Sequence, residues 1–367
     1  MKSFFYSLFA VFFRIWRILP VKKNRVCFIS MHNEGFNDSL GAVRLELEKR
    51  GGYDIKFIDK NDLNMKTPLK AIRFFLIRTE QLATAAYVFL NDNFLPMSRL
   101  DFAAETTVAQ LWHAEGAFKK FGLSIEQPQQ LRQSEIEANK RVSYVVCSSE
   151  NVAGIYAEAF GVEKEKVLPL GSARTDLLYN ARNIRQMKEE FISEHPECEN
   201  KKIVLYAPTF RDDEKQDAEI MRRFELEKLK TALGDEYAFF IRLHPQIHSC
   251  TVDESINLTD YPDVTRLMLI CDVLITDYSS ICMDFALLGK PTVFFAFDLD
   301  YYEGARSFYF DYESYVPGEV VKNTDALIEC LKKGADTSRI KAFKEFNFDY
   351  YDGKCAARIV DRITGKR

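Results

Sequence analysis

The chain has 367 residues, of which 47% are hydrophobic and 28% are charged, and its formal net charge is -4. This composition is that of a globular protein with enough apolar residues for two domains. The net negative charge argues against a nucleic-acid-binding protein, which usually has a basic face.

The eight cysteines are scattered and form neither a CxxC pair nor a metal-ligand spacing. Several, such as Cys27, Cys147 and Cys271, lie in or beside apolar strands, where a free cysteine behaves as a small hydrophobic residue. The pattern predicts reduced cysteines in a reducing compartment and no structural zinc.

Residues 1–24 predict an amphipathic helix. Its polar face is narrow, and its apolar run is shorter than the about 20 residues that span a bilayer. No small-residue cleavage site of a signal peptide follows. Basic residues in the second half of the segment and just after it are Arg14, Arg17, Lys22, Lys23 and Arg25. They would suit anionic headgroups, so we expect a peripheral helix on the cytoplasmic face of the cell membrane. The alternative is a helix that packs on the core of a domain.

Residues 25–180 predict a Rossmann-like first domain, because strands and helices alternate as in a doubly wound sheet. The predicted strands are Arg25–Ser30, Tyr53–Asp59, Ala86–Leu90, Thr106–Leu111 and Ser143–Ser148. The predicted helices are Ser39–Arg50, Leu69–Thr84, Gln129–Lys140 and Glu150–Phe160. No GxGxxG motif is present, so a dinucleotide cofactor is not expected.

A charged segment, 181–201, predicts a linker, and residues 202–367 predict a second domain of the same kind. Two Rossmann-like α/β domains joined by one linker are the layout of the GT-B transferases. We therefore expect two doubly wound domains that face a cleft.

Between Asp272 and Ala296 an apolar strand, a polar turn, a helix and a second apolar strand form a parallel βαβ unit. Ligands of such units lie beyond the carboxyl ends of the strands. The turn contains Asp277, Ser279 and Ser280, which could receive a phosphate at the start of the helix. Capping of the helix by these side chains is the alternative.

Further polar residues follow other predicted strands. They are His113 and Glu115 after Thr106–Leu111, Arg174 in a turn before a helix, Thr209 and Arg211 after Ile203–Ala207, and Arg242 and His244 at the end of Ala238–Leu243. A histidine at such a position can take a proton from a substrate hydroxyl. Each is a common structural residue when considered singly, but together they favour a catalytic cleft.

Asp298-Leu299-Asp300 resembles a metal-binding DxD motif. This spacing is common by chance, and we expect a turn that shapes the cleft rather than a metal site.

Eight motifs occur together in one order along the chain. They are WH…KK…G (112–122), GSARTD (171–176), YAPTFR (206–211), RLHP (242–245), LITDYSS (274–280), KP…DLD.Y (290–301), R.FY…PG (306–318) and DG (352–353). With these motifs the chain resembles the CDP-glycerol glycerophosphotransferase family, the teichoic-acid primases and polymerases of Gram-positive bacteria. The resemblance covers about residue 105 to the C-terminus.

The resemblance implies a GT-B enzyme that transfers glycerol phosphate from CDP-glycerol to a hydroxyl of a lipid-linked saccharide acceptor and releases CMP, with no metal or other cofactor. The first domain would hold the acceptor, and the second would bind the CDP donor. His113 would be the base on that hydroxyl, and His244 would lie next to the donor phosphates. Arg306 would bind the donor pyrophosphate, and Ser279 and Ser280 would receive phosphate. Arg211 and Arg242 would neutralise charge on the phosphate oxygens.

The chain departs from the common family motif WHGTP, because it has Trp112-His113-Ala114-Glu115-Gly116. Glu115 adds a charge beside the expected base. This departure leaves CDP-ribitol or another CDP-polyol open as the donor. The sequence also leaves open a GT-B glycosyltransferase that uses a nucleotide sugar, and a non-catalytic binding protein.

Overall fold

The computed structural model describes residues 2–31, 38–62, 67–211 and 213–365. The chain divides into two compact units. The first comprises Met1–Tyr179 and Phe346–Arg367, and the second comprises Asn180–Glu345. Residues 346–367, which the sequence placed with the second domain, are therefore part of the first unit.

The first unit contains a parallel sheet of six strands in the order β2-β1-β3-β4-β5-β6. The strands are β1 Lys22–Ser30, β2 Asp54–Asp59, β3 Ala85–Leu90, β4 Thr107–Gln110, β5 Tyr144–Cys147 and β6 Val167–Pro169. The sequence predicted the first five and missed the short β6. The order reverses between β1 and β3, as it does in doubly wound folds. Phe28 lies opposite Phe57 and Phe89 in the register, and its ring stacks on theirs at 5.7 and 5.4 Å.

The helices of this unit surround the sheet. They are α1 Lys2–Trp16, α2 Ser39–Arg50, α3 Pro68–Ile72, a π-helix Arg73–Arg78, α4 Thr79–Ala83, α5 Gln129–Asn139, α6 Glu150–Phe160 and α7 Thr175–Tyr179. Three short 3₁₀ turns are Leu95–Arg99, Gly122–Ser124 and Lys164–Lys166. The helices α2 and α6 have the bounds that the sequence predicted.

The N-terminal helix α1 packs on the first unit along one face. Phe9 and Phe13 are fully buried, and their rings lie 5.3 Å from Phe74 and 5.2 Å from Phe102. The opposite side keeps large apolar residues exposed, including Phe4. One face of α1 therefore packs on the core of the unit, as the alternative prediction stated, while the other face stays exposed. Among the helices in the described ranges, none is both long and apolar enough to cross a membrane.

The second unit contains a parallel sheet of five strands in the order β11-β10-β9-β7-β8. The strands are β7 Lys202–Ala207, β8 Tyr237–Ile241, β9 Val273–Thr276, β10 Thr292–Phe295 and β11 Glu319–Val321. The helices are α8 Ile184–Glu194, α9 Glu214–Phe224, α10 Leu226–Leu233, α11 Val264–Ile270, α12 Ile281–Leu287, α13 Leu299–Ala305, α14 Tyr312–Tyr315, α15 Thr324–Lys333 and α16 Ile340–Asn347, whose last two residues belong to the first unit. Two 3₁₀ turns are Pro196–Cys198 and Glu254–Ile256. The central strands β7, β9 and β10 are almost wholly buried. Each is followed in sequence by a helix, and the connecting helices of a parallel sheet cover its faces.

The last helix, α17 (Cys355–Thr364), explains why the C-terminal segment belongs to the first unit. Its apolar face, formed by Ala356, Ile359, Val360 and Ile363, is part of the core cluster of the first sheet. Asp176 accepts hydrogen bonds from the backbone N–H groups of Cys355 and Ala356 at 3.0 and 2.8 Å. The helix therefore docks by both its apolar stripe and its N-terminus.

Candidate active site

His113 lies just beyond the carboxyl end of β4, next to a residue in an unusual conformation. Trp112 has a φ of 56°, a left-handed backbone that a bulky residue seldom adopts. Its N–H donates to Oε1 of Gln110 at 2.9 Å, and its ring stacks on Phe121 at 5.0 Å. These contacts hold the reversed backbone in place, and the turn leaves His113 exposed.

The hydrogen bond of His113 fixes which ring nitrogen carries the proton. Nδ1 lies 3.2 Å from the carbonyl oxygen of Asn91, which can only accept a hydrogen bond. In the neutral ring Nδ1 therefore carries the proton, and Nε2 has the lone pair. The carboxylate of Asp92 lies 3.9 Å from the same Nδ1. The side chain of His113 is 46% exposed, so a substrate hydroxyl can reach it.

The loop after β3 that provides these partners is itself anchored. The side-chain amide of Asn91 donates to Oδ2 of Asp38, and Oδ1 of Asp38 caps α2 through the N–H of Leu40 at 2.9 Å. The carbonyl oxygen of Asp92 accepts from Gln110 Nε2 at 3.0 Å. The partners of His113 are thus held by the two neighbouring strand ends and by α2.

Glu115 and Arg174, two residues that the sequence suggested for substrate binding, lie close to each other in the first unit. Glu115 is buried, and its Oε1 accepts from Ser172 Oγ at 3.0 Å. Its Oε2 lies 3.9 Å from Arg174 Nη1, and in the part of the chain that the structure describes it accepts no hydrogen bond. Since Glu115 is buried while Arg174 is partly exposed, Arg174 is the one of the pair that a ligand can contact.

In the second unit, one aromatic ring connects three of the predicted motifs. The ring of Phe210, after β7, lies 4.7 Å from the imidazole of His244, after β8. The guanidinium of Arg306 lies 5.0 Å from the centre of the same ring. The structure therefore places His244 and Arg306 against one aromatic platform, as a shared site requires.

His244 has the opposite proton arrangement to His113. Its Nδ1 accepts a hydrogen bond from the backbone N–H of Gln246 at 3.2 Å. In the neutral ring the proton then lies on Nε2, which can donate a hydrogen bond to a phosphate oxygen. The two histidines thus suit different roles, one as a proton acceptor and the other as a donor.

Arg211 corrects a sequence-based expectation. It was expected to contact the donor phosphates, but its side chain is only 1% exposed. Nε and Nη2 donate to Asp298, Nη2 also to Asp277 Oδ2 at 3.0 Å, and Nη1 to the carbonyl oxygen of Thr209 at 2.5 Å. Burial disfavours the charged guanidinium, but the two carboxylates outweigh it and raise the pKa of Arg211. Its role is to hold the strand ends together.

Asp277 needs the same correction, because it is completely buried. Besides Arg211, its carboxylate accepts from the N–H groups of Thr209 at 2.8 Å and Tyr278 at 2.6 Å. The sequence pattern predicted Asp298 to be part of a turn and gave no sign that it pairs with Arg211. Asp298 also accepts from the hydroxyl of Tyr278 at 2.9 Å. The three charged residues Arg211, Asp277 and Asp298, hereafter the buried ion cluster, fix the loops that follow β7, β9 and β10.

Arg242 is half-buried, and one arm of its guanidinium is used within the protein. Nη1 donates to the carbonyl oxygens of Leu258 and Tyr261 at 2.8 and 2.7 Å. Burial lowers the pKa of this arginine. Arg242 therefore shapes the loop after β8 through Nη1, and its part in neutralising phosphate charge stays a prediction.

The serines before α12 do little capping. Ser280 is the N-cap residue, but its side chain makes no capping hydrogen bond, and Ser279 Oγ accepts from the N–H of Ile281 at 3.4 Å. Both serines are partly exposed, whereas Thr209 is buried. In the described ranges the Thr209 hydroxyl has no hydrogen-bond partner. Ser279 and Ser280 thus stay candidates for contact with a ligand.

Within residues 2–31, 38–62, 67–211 and 213–365, no three His, Cys, Asp or Glu side chains form a group that could hold a metal ion. The carboxylate of Asp298 is taken up by Arg211 and Tyr278. Catalysis without a metal stays a prediction.

Comparison with known proteins extends these observations. The sequence profile of a family described as CDP-glycerol:poly(glycerophosphate) glycerophosphotransferase matches residues 11–365. The chain is 33% identical over 367 residues to a teichoic acid poly(ribitol-phosphate) polymerase of Bacillus spizizenii, a match that covers 98% of this chain and 59% of that protein. It is also 33% identical over 359 residues to a teichoic acid ribitol-phosphate primase of the same organism, covering 95% of this chain and 92% of that protein. The chain therefore spans less than two thirds of the length of the polymerase and most of the length of the primase.

Among solved structures, the wall teichoic acid polymerase TagF superposes with a TM-score of 0.79 at 24% identity. The match covers 99% of this chain and 95% of that chain. This likeness confirms the predicted α/β fold of the GT-B type.

Proposed function

Because the chain belongs to the CDP-glycerol:poly(glycerophosphate) glycerophosphotransferase family, we propose that it transfers glycerol phosphate from CDP-glycerol to a hydroxyl of a lipid-linked acceptor and releases CMP. The observation that carries the proposal is the hydrogen bond between His113 Nδ1 and the carbonyl oxygen of Asn91. In the neutral ring this contact leaves Nε2 of an exposed histidine without a proton, as a base on an acceptor hydroxyl must be.

The reaction is a phosphoryl transfer. The acceptor oxygen attacks the phosphorus atom that carries the glycerol, and the bond from that phosphorus to the oxygen of CMP breaks. His113 Nε2 takes the proton of the hydroxyl as the new P–O bond forms, and CMP leaves as a phosphate anion. Most of the catalytic effect in such reactions comes from positioning and from stabilisation of charge on the phosphate oxygens.

The donor phosphates would be bound by the second unit. His244 Nε2–H and the Arg306 guanidinium, both placed beside Phe210, would donate to the pyrophosphate oxygens. Ser279 and Ser280 would add hydroxyl groups at the start of α12. Arg211 and Asp277 act on the donor only indirectly, through the backbone of Thr209 and the neighbouring loops.

CDP-ribitol is a second candidate donor, because the two relatives described above are named as ribitol-phosphate enzymes. The family description, in contrast, names CDP-glycerol. The two donors share the CDP group and differ in the length of the polyol. The proposed roles of His113, His244 and Arg306 apply to both.

We also propose that the protein binds an anionic membrane surface through α1 and its neighbour. Phe4, Ile15 and Ile18 are exposed on or just after α1, with Ile18 83% exposed. Ile72 and Ile77 are exposed in the adjacent helical segment, which contacts α1 through aromatic rings. Together they form an apolar surface near basic side chains, a combination typical of interfacial helices.

The set of lipid-facing cations is smaller than the sequence suggested. Arg25 is buried and binds Asp54 and Glu80, so it cannot reach a headgroup. Arg14 lies 3.8 Å from Asp101, and Lys22 lies 3.3 Å from Glu80. The apolar residues therefore carry more of the proposed membrane binding than the basic ones.

A donor panel tests the proposed reaction. The purified protein is incubated with a lipid-linked disaccharide and CDP-glycerol, CDP-ribitol or a UDP-sugar, and the released nucleotide is measured with and without EDTA. We expect CMP from a CDP-polyol at the same rate in EDTA. Release of UDP alone would identify a glycosyltransferase, and loss of turnover in EDTA would contradict the metal-free mechanism.

Vesicle flotation tests the membrane proposal separately. The double variant Phe4→Glu/Ile18→Glu should no longer float with vesicles that contain anionic lipid. Ile125→Glu, which changes an exposed isoleucine elsewhere in the first unit, is the matched control and should float as the wild type does. Equal flotation of all three proteins would refute the membrane surface.

A further inference from the structure

The first unit contains a groove beside the His113 loops that the reaction described above does not use. The groove has a volume of about 830 Å³. It is lined by side chains of α1, of the 3₁₀ turn Leu95–Arg99 and of α5, among them Tyr6, Ser98, Arg99, Gln130, Leu131 and Glu137. The Glu137 carboxylate is paired with Lys140 Nζ at 2.7 Å. Its volume lies within the range of about 300–1,000 Å³ typical of small-molecule sites.

The groove and His113 share the same two loops. The loop after β3 begins with Asn91 and Asp92, which contact His113, and continues into Leu95–Arg99, which lines the groove. The segment after β4 begins near His113 and ends at Pro128, another lining residue. The carboxyl ends of neighbouring parallel strands meet at one edge of a sheet, so the groove and the base lie at the same edge.

A buried carboxylate fixes these two loops to α5. Glu135 accepts from Asn93 Nδ2 at 3.1 Å and from Gln127 Nε2 at 2.8 Å. Asn93 belongs to the loop after β3, and Gln127 belongs to the segment after β4. Glu135 is itself buried beneath the groove-lining residues of α5, so the walls of the groove are held at fixed positions.

The chemistry of the lining fits a hydroxyl-rich chain that bears a phosphate. Gln130 and Ser98 offer amide and hydroxyl groups, and Tyr6 and Leu131 offer apolar surface for the faces of sugar rings. Arg99 is a cation at the α1 end, where its Nη1 donates to Ser7 Oγ. It is close enough to Tyr6 to oppose the rise in the pKa of that tyrosine that burial causes. A guanidinium is well suited to bind phosphate.

We propose that this groove binds the saccharide–phosphate part of the lipid-linked acceptor and leads its terminal hydroxyl to His113. The inference rests on the proposed function. The phosphate next to the lipid would lie at the α1 end of the groove, near Arg99. The saccharide would extend along α5 toward the two loops that hold His113.

Two groove variants test this proposal in the full-length protein. Leu131→Glu adds a negative charge to the groove wall, and Ser98→Trp narrows the groove. Leu45→Glu is the matched control, because Leu45 and Leu131 are both exposed leucines on helices of the first unit, 51% and 38% exposed. The probe is a disaccharide linked by a diphosphate to a short prenyl chain. Its binding is measured by calorimetry without a donor, and its KM is measured by CMP release.

We expect both groove variants to bind the probe at least tenfold more weakly and to raise its KM by a similar factor. The KM of the CDP-polyol and the thermal unfolding temperature should stay unchanged, and Leu45→Glu should behave as the wild type. Arg99→Gln should weaken binding of the diphosphate probe more than binding of the free disaccharide. Unchanged probe affinity in both groove variants would overturn the proposal.

The calorimetric binding measurement tests the groove proposal independently of the proposed reaction. If the wild type binds the probe and the groove variants do not, the groove proposal holds even when no CDP-polyol is turned over. If CMP is released and the groove variants keep the acceptor KM of the wild type, the reaction stands and the groove proposal fails.

Discussion

The Nδ1 atom of His113 lies 3.2 Å from the carbonyl oxygen of Asn91, the first residue after β3. This contact determines the tautomer of the histidine, and it comes from the neighbouring strand rather than from the motif around His113. Asp92 adds a carboxylate 3.9 Å from the same nitrogen. The carbonyl orients the ring, and the carboxylate stabilises the imidazolium that forms when Nε2 takes a proton.

Replacement of Asp92 tests that second role. Asp92→Asn keeps the shape of the side chain and removes its charge, so the imidazolium loses stabilisation in the transition state. We expect kcat to fall about tenfold, which corresponds to about 1.4 kcal/mol, with little change in the donor KM. Steady-state CMP release measures both constants. Glu105→Gln, an exposed acid of the same unit, is the control, and an equal kcat in all three proteins would refute the role of Asp92.

The Phe210 platform leads to a prediction about donor binding. Phe210→Leu removes the ring on which Arg306 and His244 rest, so both side chains lose their orientation. We expect the KM for the CDP-polyol to rise about tenfold, because cation–π and stacking contacts of this kind contribute about 0.5–2 kcal/mol. The exposed aromatic Tyr301, changed to leucine, is the control. An unchanged donor KM for Phe210→Leu would show that the platform is not part of the donor site.

The buried ion cluster predicts a large loss of stability on mutation. Arg211→Met leaves the carboxylates of Asp277 and Asp298 buried without their counter-charge, and we expect the free energy of unfolding to fall by about 3–5 kcal/mol. Arg211→Lys should also destabilise the protein, because an ammonium group cannot reproduce the forked contacts of a guanidinium. Urea unfolding measures both changes.

The control for Arg211 is Arg185→Met. Arg185 pairs with Glu189, but its side chain is 93% exposed, and such surface pairs contribute at most about 1 kcal/mol. Equal stability losses at the two arginines would contradict the structural role of the cluster.

The cysteines provide a prediction that depends on pH. All eight are free thiols, and burial raises the pKa of Cys27, Cys147, Cys198, Cys271, Cys330 and Cys355 to about 12. Only the thiolate reacts with iodoacetamide, so at a pH of about 8 these groups stay protonated as well as shielded. Mass spectrometry should show them unmodified in the native protein and all eight alkylated after denaturation. Rapid alkylation of Cys27 or Cys271 in the native state would contradict this prediction.

Local sequence patterns predicted the elements of the fold well. The helix Glu150–Phe160 has the predicted bounds because Gly161, with a φ of 61°, ends it in a left-handed conformation that glycine readily adopts. The strand ends were also placed closely, and with them His113 and His244. These features depend on neighbouring residues and are visible in a single sequence.

Contacts between distant residues could not be predicted in this way. The partner of Arg211 at Asp298 lies 87 residues further along the chain, and nothing in either local pattern indicates the pairing. Arg211 and Asp277, in polar turns after strands, suggested ligand binding, but their mutual burial shows an internal cluster. The docking of α17 on the first sheet is similar, because its amphipathic pattern predicts a helix and not the surface that it covers.

The partners of His113 were missed for a different reason. Asn91 and Asp92 directly follow β3, and polar residues in the same position after other strands were treated as informative. The polar pair after the Ala86–Leu90 strand was the available signal. Parallel strands bring their carboxyl ends to one edge, so this pair could have been grouped with His113.

The most direct test of the account is single-turnover CMP release by His113→Ala and by wild-type protein, with CDP-glycerol and CDP-ribitol and a lipid-linked acceptor. The account predicts that the variant binds the donor with unchanged affinity, measured by calorimetry, and that its rate of CMP release falls by about 10²–10⁴-fold, the usual contribution of a general base. A variant that releases CMP at the wild-type rate would contradict the assignment of His113 as the base.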